Sequence, residues 1–278
     1  MSDDGLARIS AYESLLGQES EHRREDLEIH IPPGPRLGNV VIDGDGVGKA
    51  YGKRLLFENL TFKLPPGGIV GVIGPNGAGK SSVFSLIAGV LKPDSGRVEL
   101  LGRDITKLPG HKRVHAGIGR AFQIPQPFVG LTVFENVLSA AFSGAGLKGR
   151  EAEDWACDVI ARTGLVEKAD TLAGSLSLLD RKNLEVAKAV ATRAELLMLD
   201  EIGAGLTERE VARLVERIAV LKEDHAIIWI EHIAHALKQV ADRILVLNFG
   251  EKVADGEFET VMSSPIVREI YMGLKEDA

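Results

Sequence analysis

Gly74-Pro75-Asn76-Gly77-Ala78-Gly79-Lys80-Ser81-Ser82 fits the pattern G-x-x-x-x-G-K-[ST], and its reading decides the rest of the chain. Before it, Gly68-Ile69-Val70-Gly71-Val72-Ile73 reads as a buried strand; after it, Ser82 to Val90 reads as a helix. A strand–loop–helix of this kind binds phosphate for two reasons. Glycines let backbone N–H groups approach closely, and a helix N-terminus presents unpaired donors at the positive end of its dipole. Lys80 is placed to reach the β/γ-phosphates of a nucleotide, and the Ser81 hydroxyl to ligate the accompanying Mg2+. The whole run from Gly74 to Ser82 is therefore the candidate nucleotide-binding loop.

Composition bounds what surrounds it. A chain of 278 residues, 45% hydrophobic, can bury one large domain, or one domain with a subdomain. No apolar run approaches the ~18 residues of a membrane-spanning helix. The N-terminal Met-Ser-Asp-Asp lacks the basic-then-apolar pattern of a signal peptide. A lone cysteine, Cys157, excludes an internal disulfide, fits a reducing cytoplasm and sits in a helical pattern as a small packed residue. Of the net charge of −7, residues 1–30 carry −5, with eight acids against three arginines. Nothing resembles the basic stripe of a phosphate-backbone binder, so direct nucleic-acid binding is not expected.

In chain order, Leu6, Ile9, Tyr12, Leu15 and Leu16 predict an amphipathic helix within residues 3–28, and Ile31-Pro32-Pro33-Gly34-Pro35 a stiff linker. Residues 40–42 and 60–64 read as strands, as do 97–101, 226–230 and 244–247. Helical spacing marks 132–143, 151–163, 181–193 and 208–221, a small hairpin spans 248–255, and helical patterns finish the chain to Leu274. Tyr51, upstream of the loop, is a candidate to stack on adenine. Leu196-Leu197-Met198-Leu199-Asp200-Glu201 reads as a buried strand ending in two acids. Parallel strands open their carboxyl ends onto the ligand crevice, so Asp200 suits an Mg2+ partner and Glu201 a base. The expected fold class is α/β, a sheet with helices on both faces.

With these residues in order, residues 39–274 resemble an ABC-type ATPase subunit. The resemblance implies a P-loop NTPase with a mixed sheet core, a small antiparallel β subdomain and an inserted helical subdomain at about 124–190. It places residues 1–38 outside the cassette as helix and linker, and 275–278 as a tail. It makes Tyr51 the adenine-stacking aromatic, and Gln123 the glutamine that touches Mg2+ and water and relays to the transport partner. It further makes Asp200 the metal-side acid, Glu201 the general base, and His232 the histidine that contacts the γ-phosphate. Residues 97–274 are similar to ATP-binding subunits of branched-chain amino-acid importers, through Gly117 to Gln123, Leu131 to Val137, Asp200 to Leu206 and Ile230-Glu231-His232. Residues 6–96 resemble the linker and second-cassette start of translation-associated soluble ABC ATPases, which raises as alternatives a soluble translation-associated ATPase fragment and a hybrid or designed chain. The importer reading is preferred because the insert after Gln123 is of the transporter type and a paired cassette is absent.

That resemblance implies ATP hydrolysis coupled to transport, with Mg2+. It also implies a head-to-tail homo- or heterodimer beneath integral membrane permease subunits, at the inner face of the cell membrane. The sequence departs from the family at Leu176-Ser177-Leu178-Leu179-Asp180, which stands where L-S-G-G-Q is usual. Ser177 keeps the hydroxyl expected to face the partner's ATP, whereas Leu179 adds bulk and Asp180 a like charge, which disfavours closure. That departure raises, as an alternative, a nucleotide-gated dimer with weak hydrolysis, although some importers of this branch also carry an altered signature. Ile202 and Thr207 depart as well, in place of a proline and an acid.

Overall fold

The computed structural model describes residues 40–51 and 54–272, with the side chains of residues 51, 54, 271 and 272 outside that set. The N-terminal helix and linker expected before Asn39, and the tail from 275, fall outside the described residues.

Short runs of Val, Ile and Leu build the central sheet, because strands covered on both faces need no polar alternation. Its order is β10-β9-β3-β8-β7-β6, and every neighbouring pair is parallel except β10 with β9. These strands are β3 (Ile69–Ile73), β6 (Ile118–Ala121), β7 (Leu196–Asp200), β8 (Ala226–Ile230), β9 (Arg243–Asn248) and β10 (Glu251–Gly256). Every residue of β3, β7 and β8 is buried. The antiparallel second sheet runs β2-β1-β4-β5, from β1 (Ile42–Tyr51), β2 (Arg54–Leu64), β4 (Ser95–Leu100) and β5 (Arg103–Asp104).

Helix α1 (Lys80–Ile87) follows the phosphate loop, and its Phe84 and Ile87 join a core shared by both sheets, with Ile42, Phe57, Val98 and Ile228. A short α2 (Gly110–His115) leads into β6. Between β6 and β7 come α3 (Val133–Ser143), α4 (Gly149–Arg162) and α5 (Leu178–Ala191), the inserted helical layer. A capping box at Thr132 and Glu135 starts α3, and a Ser177 cap starts α5. Then α6 (Glu208–Leu221) begins at a second box, Thr207 with Glu210. Helices α7 (Ala234–Val240), α8 (Phe258–Ser263) and α9 (Pro265–Met272) complete the order, and no helix among the described residues is long and apolar enough to cross a membrane.

Three sequence expectations need correction, one being Cys157, which is exposed on α4 rather than packed. The first hairpin is far longer than strands at 40–42 and 60–64, since β1 runs on to Tyr51 through irregular pairing at Gly44, Val47 and Lys49. The stretch 118–121 lies within residues 104–193, where helical patterns dominate the sequence, and is instead the edge strand β6, paired in parallel with β7.

Candidate nucleotide site

The phosphate loop connects β3 to α1 and floors a cleft of about 490 Å3 lined by Leu56, residues 76–82 and Glu201. That volume is in the range of small-ligand pockets. Gly77 and Gly79 have φ of 84° and 98°, left-handed values that cost a side-chain-bearing residue energy. A Cβ at Gly74 would stand 2.1 Å from the Leu247 carbonyl oxygen, so the loop can seat itself against β9 only with glycine there. Gly79 caps α1 with no side-chain hydrogen bond, which leaves first-turn donors for a ligand. The Lys80 ammonium donates to the Gly74 and Pro75 carbonyls at 2.7 and 3.1 Å. Burial lowers its pKa, while the Glu201 and Asp200 charges pull it back up. A cradle of glycines, free helix donors and a lysine fits a nucleoside triphosphate with its cation.

Parallel strands aim their carboxyl ends at the same crevice, and two acids arrive there on β7. Asp200 is nearly buried and pairs with Arg120 of β6, Nη2 to Oδ2 2.6 Å. Arg120 also stacks over Phe122, 4.9 Å from the ring centre. Glu201 follows in a left-handed conformation, φ 45°. Its two carboxylate oxygens are held separately: Gln123 Nε2 donates to Oε2 at 2.6 Å, and His232 Nε2 meets Oε1 at 2.9 Å. Gln123, Glu201 and His232 thus converge from three loops, after β6, β7 and β8.

The Gln123 loop is gripped from α5. Lys182 donates to the Gln123 carbonyl, buried Glu185 accepts from the Gln126 N–H at 2.6 Å, and Lys188 donates to the Gln126 carbonyl at 2.8 Å. Burial lowers the Lys182 pKa, opposed by the charges of Glu231, Glu185 and Glu201.

Ser177 is not among the residues lining this cleft. It caps α5, accepting from the Asp180 N–H at 3.2 Å and donating to the Asp180 carboxylate at 2.8 Å. Tyr51 ends β1 opposite Arg54, and its side chain is outside the described residues. Sequence reasoning missed Leu56, Arg120, Lys182, Glu185, Lys188 and Glu231. Of these, Lys182, Glu185 and Lys188 carried a signal, the three-residue spacing that puts them on one helix face.

Phosphate loop, inserted helices, acid-ended strand and histidine, in this chain order, define a cassette ATPase. The chain belongs to the ABC transporter family, whose pattern matches residues 57–204. It is 37% identical over 254 residues to the high-affinity branched-chain amino acid transport ATP-binding protein LivG of Escherichia coli K12, covering 85% of this chain and 99% of LivG. BraF of Pseudomonas aeruginosa, of the same description, is 34% identical over 253 residues, covering 85% and 99%. Among solved structures, the ADP conformation of MJ1267, an ATP-binding cassette of an ABC transporter, gives a TM-score of 0.78 at 28% identity over 84% of this chain and 99% of that one. A match over 85% of the chain necessarily crosses residues 95–97, so likeness to importer subunits spans both halves.

Proposed function

We propose that this chain is the ATP-hydrolysing subunit of an importer for branched-chain amino acids or similar small polar solutes. On this reading it works at the cytoplasmic face of the membrane as a dimer beneath permease subunits. The observation that carries the hydrolytic part is Glu201, held over the phosphate cleft by Gln123 on one oxygen and His232 on the other. The solute class rests on likeness to LivG and BraF.

Lys80 and the first-turn N–H groups bind the phosphates, and Tyr51 is assigned the adenine face. Ser81, Asp200 and Gln123 are assigned to Mg2+, which when bound neutralises charge on the transferring phosphoryl group. Arg120 holds the Asp200 carboxylate at the cleft, where it would serve Mg2+ if that ion were bound. Glu201 takes the proton of the attacking water, since each carboxylate oxygen keeps an acceptor site beside the one that Gln123 or His232 occupies. The bond from Gln123 links the base to the Gln123 loop, and through Lys182, Glu185 and Lys188 to the helical layer.

The same loop borders a groove of about 330 Å3, lined by Val90, Val114, Phe122, Ala140, Lys188 and Thr192 among others, the assigned seat for a permease segment. Replacing Glu201 with Gln keeps the shape and removes the base. ATP binding should persist while turnover falls by about a hundredfold or more. Unchanged hydrolysis in Glu201→Gln would overturn the reading.

A further inference from the structure

Glu231, immediately after β8, is 1% exposed, and both of its carboxylate oxygens are used. One accepts the Gly203 N–H at 2.6 Å; the other accepts the N–H of His232 at 3.1 Å. A Cβ at Gly203 would stand 2.7 Å from the same Oε1, so the bond to Gly203 needs glycine there. Burial raises the Glu231 pKa, and the N–H groups of Gly203, His232 and Ile233 pull it back. The Lys182 ammonium feels this carboxylate as the first of its attractive charges.

A buried acid is a costly way to fill space unless its hydrogen bonds do something packing cannot. Here they close a circuit. Glu201 N–H donates to the Ile230 carbonyl at 2.9 Å, Ala204 N–H to the Glu201 carbonyl at 3.1 Å, and His232 Nε2 meets the Glu201 side chain. Glu231 ties the remaining two corners, the His232 backbone and Gly203. The strained left-handed backbone of Glu201 is thus held from both sides, the condition under which such strain persists at a functional site.

We propose that Glu231 is a positioning residue that fixes Glu201 and His232 in register and makes residues 201–207 move with His232. The inference rests on the reading of Glu201 and His232 as the hydrolytic pair. Its test compares Glu231→Gln, Gly203→Ala and Gly203→Ala with Glu231→Asp, beside Glu201→Gln as a control, all in the full chain. Gln offers one acceptor where Glu offers two, so one buried N–H loses its partner. Turnover should fall about tenfold, with affinity for a fluorescent ATP analogue within about twofold. The melting temperature should stay within about 4 °C. The His232 ring 1H–15N signals should shift while those of His225, at the opposite end of β8, stay in place. Gly203→Ala should behave alike, and Glu231→Asp, one methylene shorter, should restore part of that loss. The proposal is overturned if both single variants keep turnover and His232 signals, or if turnover falls only in step with melting temperature and ATP binding. Full hydrolysis by Glu201→Gln would instead remove the pair on which it rests.

Discussion

Leu178 and Leu179 are neighbours at the start of α5 and face opposite ways: Leu178 is 44% exposed, whereas Leu179 is 6% exposed and belongs to the main core. The bulk that the sequence placed on Leu179 therefore falls on Leu178, next to Gly205. If a partner's phosphates must approach the backbone here, Leu178→Gly removes the obstacle at a helix-propensity cost of about 1 kcal/mol. Turnover should rise about tenfold or more, the worth of one charge-assisted N–H contact of at least about 1.5 kcal/mol. A steady-state rate equal to wild type would show that Leu178 obstructs nothing. Leu179→Gly would instead open a core cavity worth about 3 kcal/mol or more. The phosphate loop, Asp200-Glu201 and His232 were legible because each sits at a strand end in a fixed order. Glu231 was not, since a lone acid before a histidine has no spacing to mark its burial. Thr207 counted as a departure from the family, and the structure gives it a local task, the capping box of α6.

Arg113 controls an element rather than a reaction. Helix α1 has only eight residues, and its C-terminal carbonyls need partners. Arg113 Nη1 donates to Leu86 and Ile87 at 2.6 and 2.9 Å, Nη2 to Thr106 at 2.9 Å and Nε to Leu108 at 2.8 Å. Its positive charge also complements the negative end of α1. Burial lowers its pKa, with Asp104 opposing, yet a guanidinium stays charged at any working pH. Arg113→Met takes a donor from all four carbonyls, leaving Leu86 only its bond from the Gly89 N–H, at a cost of about 3 kcal/mol. A domain of this size should then melt about 10 °C lower. Lysine in its place should recover only part, because one ammonium cannot span all four oxygens. A melt of Arg113→Met within about 2 °C of wild type would deny α1 this anchor. At this scale the helices of the insert and α6 were legible from periodicity. The hairpin β1–β2 was not, because Asp43-Gly44-Asp45-Gly46 reads as a turn while its backbone continues as a bulged strand. Edge strand β6 was missed because four residues with a glycine and an arginine show no run; its partner β7 makes it a strand.

For the whole molecule, the decisive feature is what the cleft lacks. Its walls come from Leu56, residues 76–82 and Glu201, and Ser177 caps a helix elsewhere in the same chain. If Ser177 serves an ATP, that nucleotide sits on a second copy, and a two-fold arrangement supplies both sites at once. Charge does not forbid this, since the chain beyond residue 30 carries only −2 of the −7. Initial hydrolysis should then rise with the square of protein concentration below the dimer dissociation constant and linearly above it. Mixing gives the sharper test. Lys80→Ala should lose its own phosphate site but keep a usable Ser177, while Ser177→Arg should keep its phosphate site and block the partner's. Each variant alone should be inactive. Mixed equally, half the dimers pair one of each and hold one intact site of two, so about a quarter of wild-type activity should return. First-order kinetics together with no recovery on mixing would mean that Ser177 serves no partner and that the single-chain cleft is the complete site.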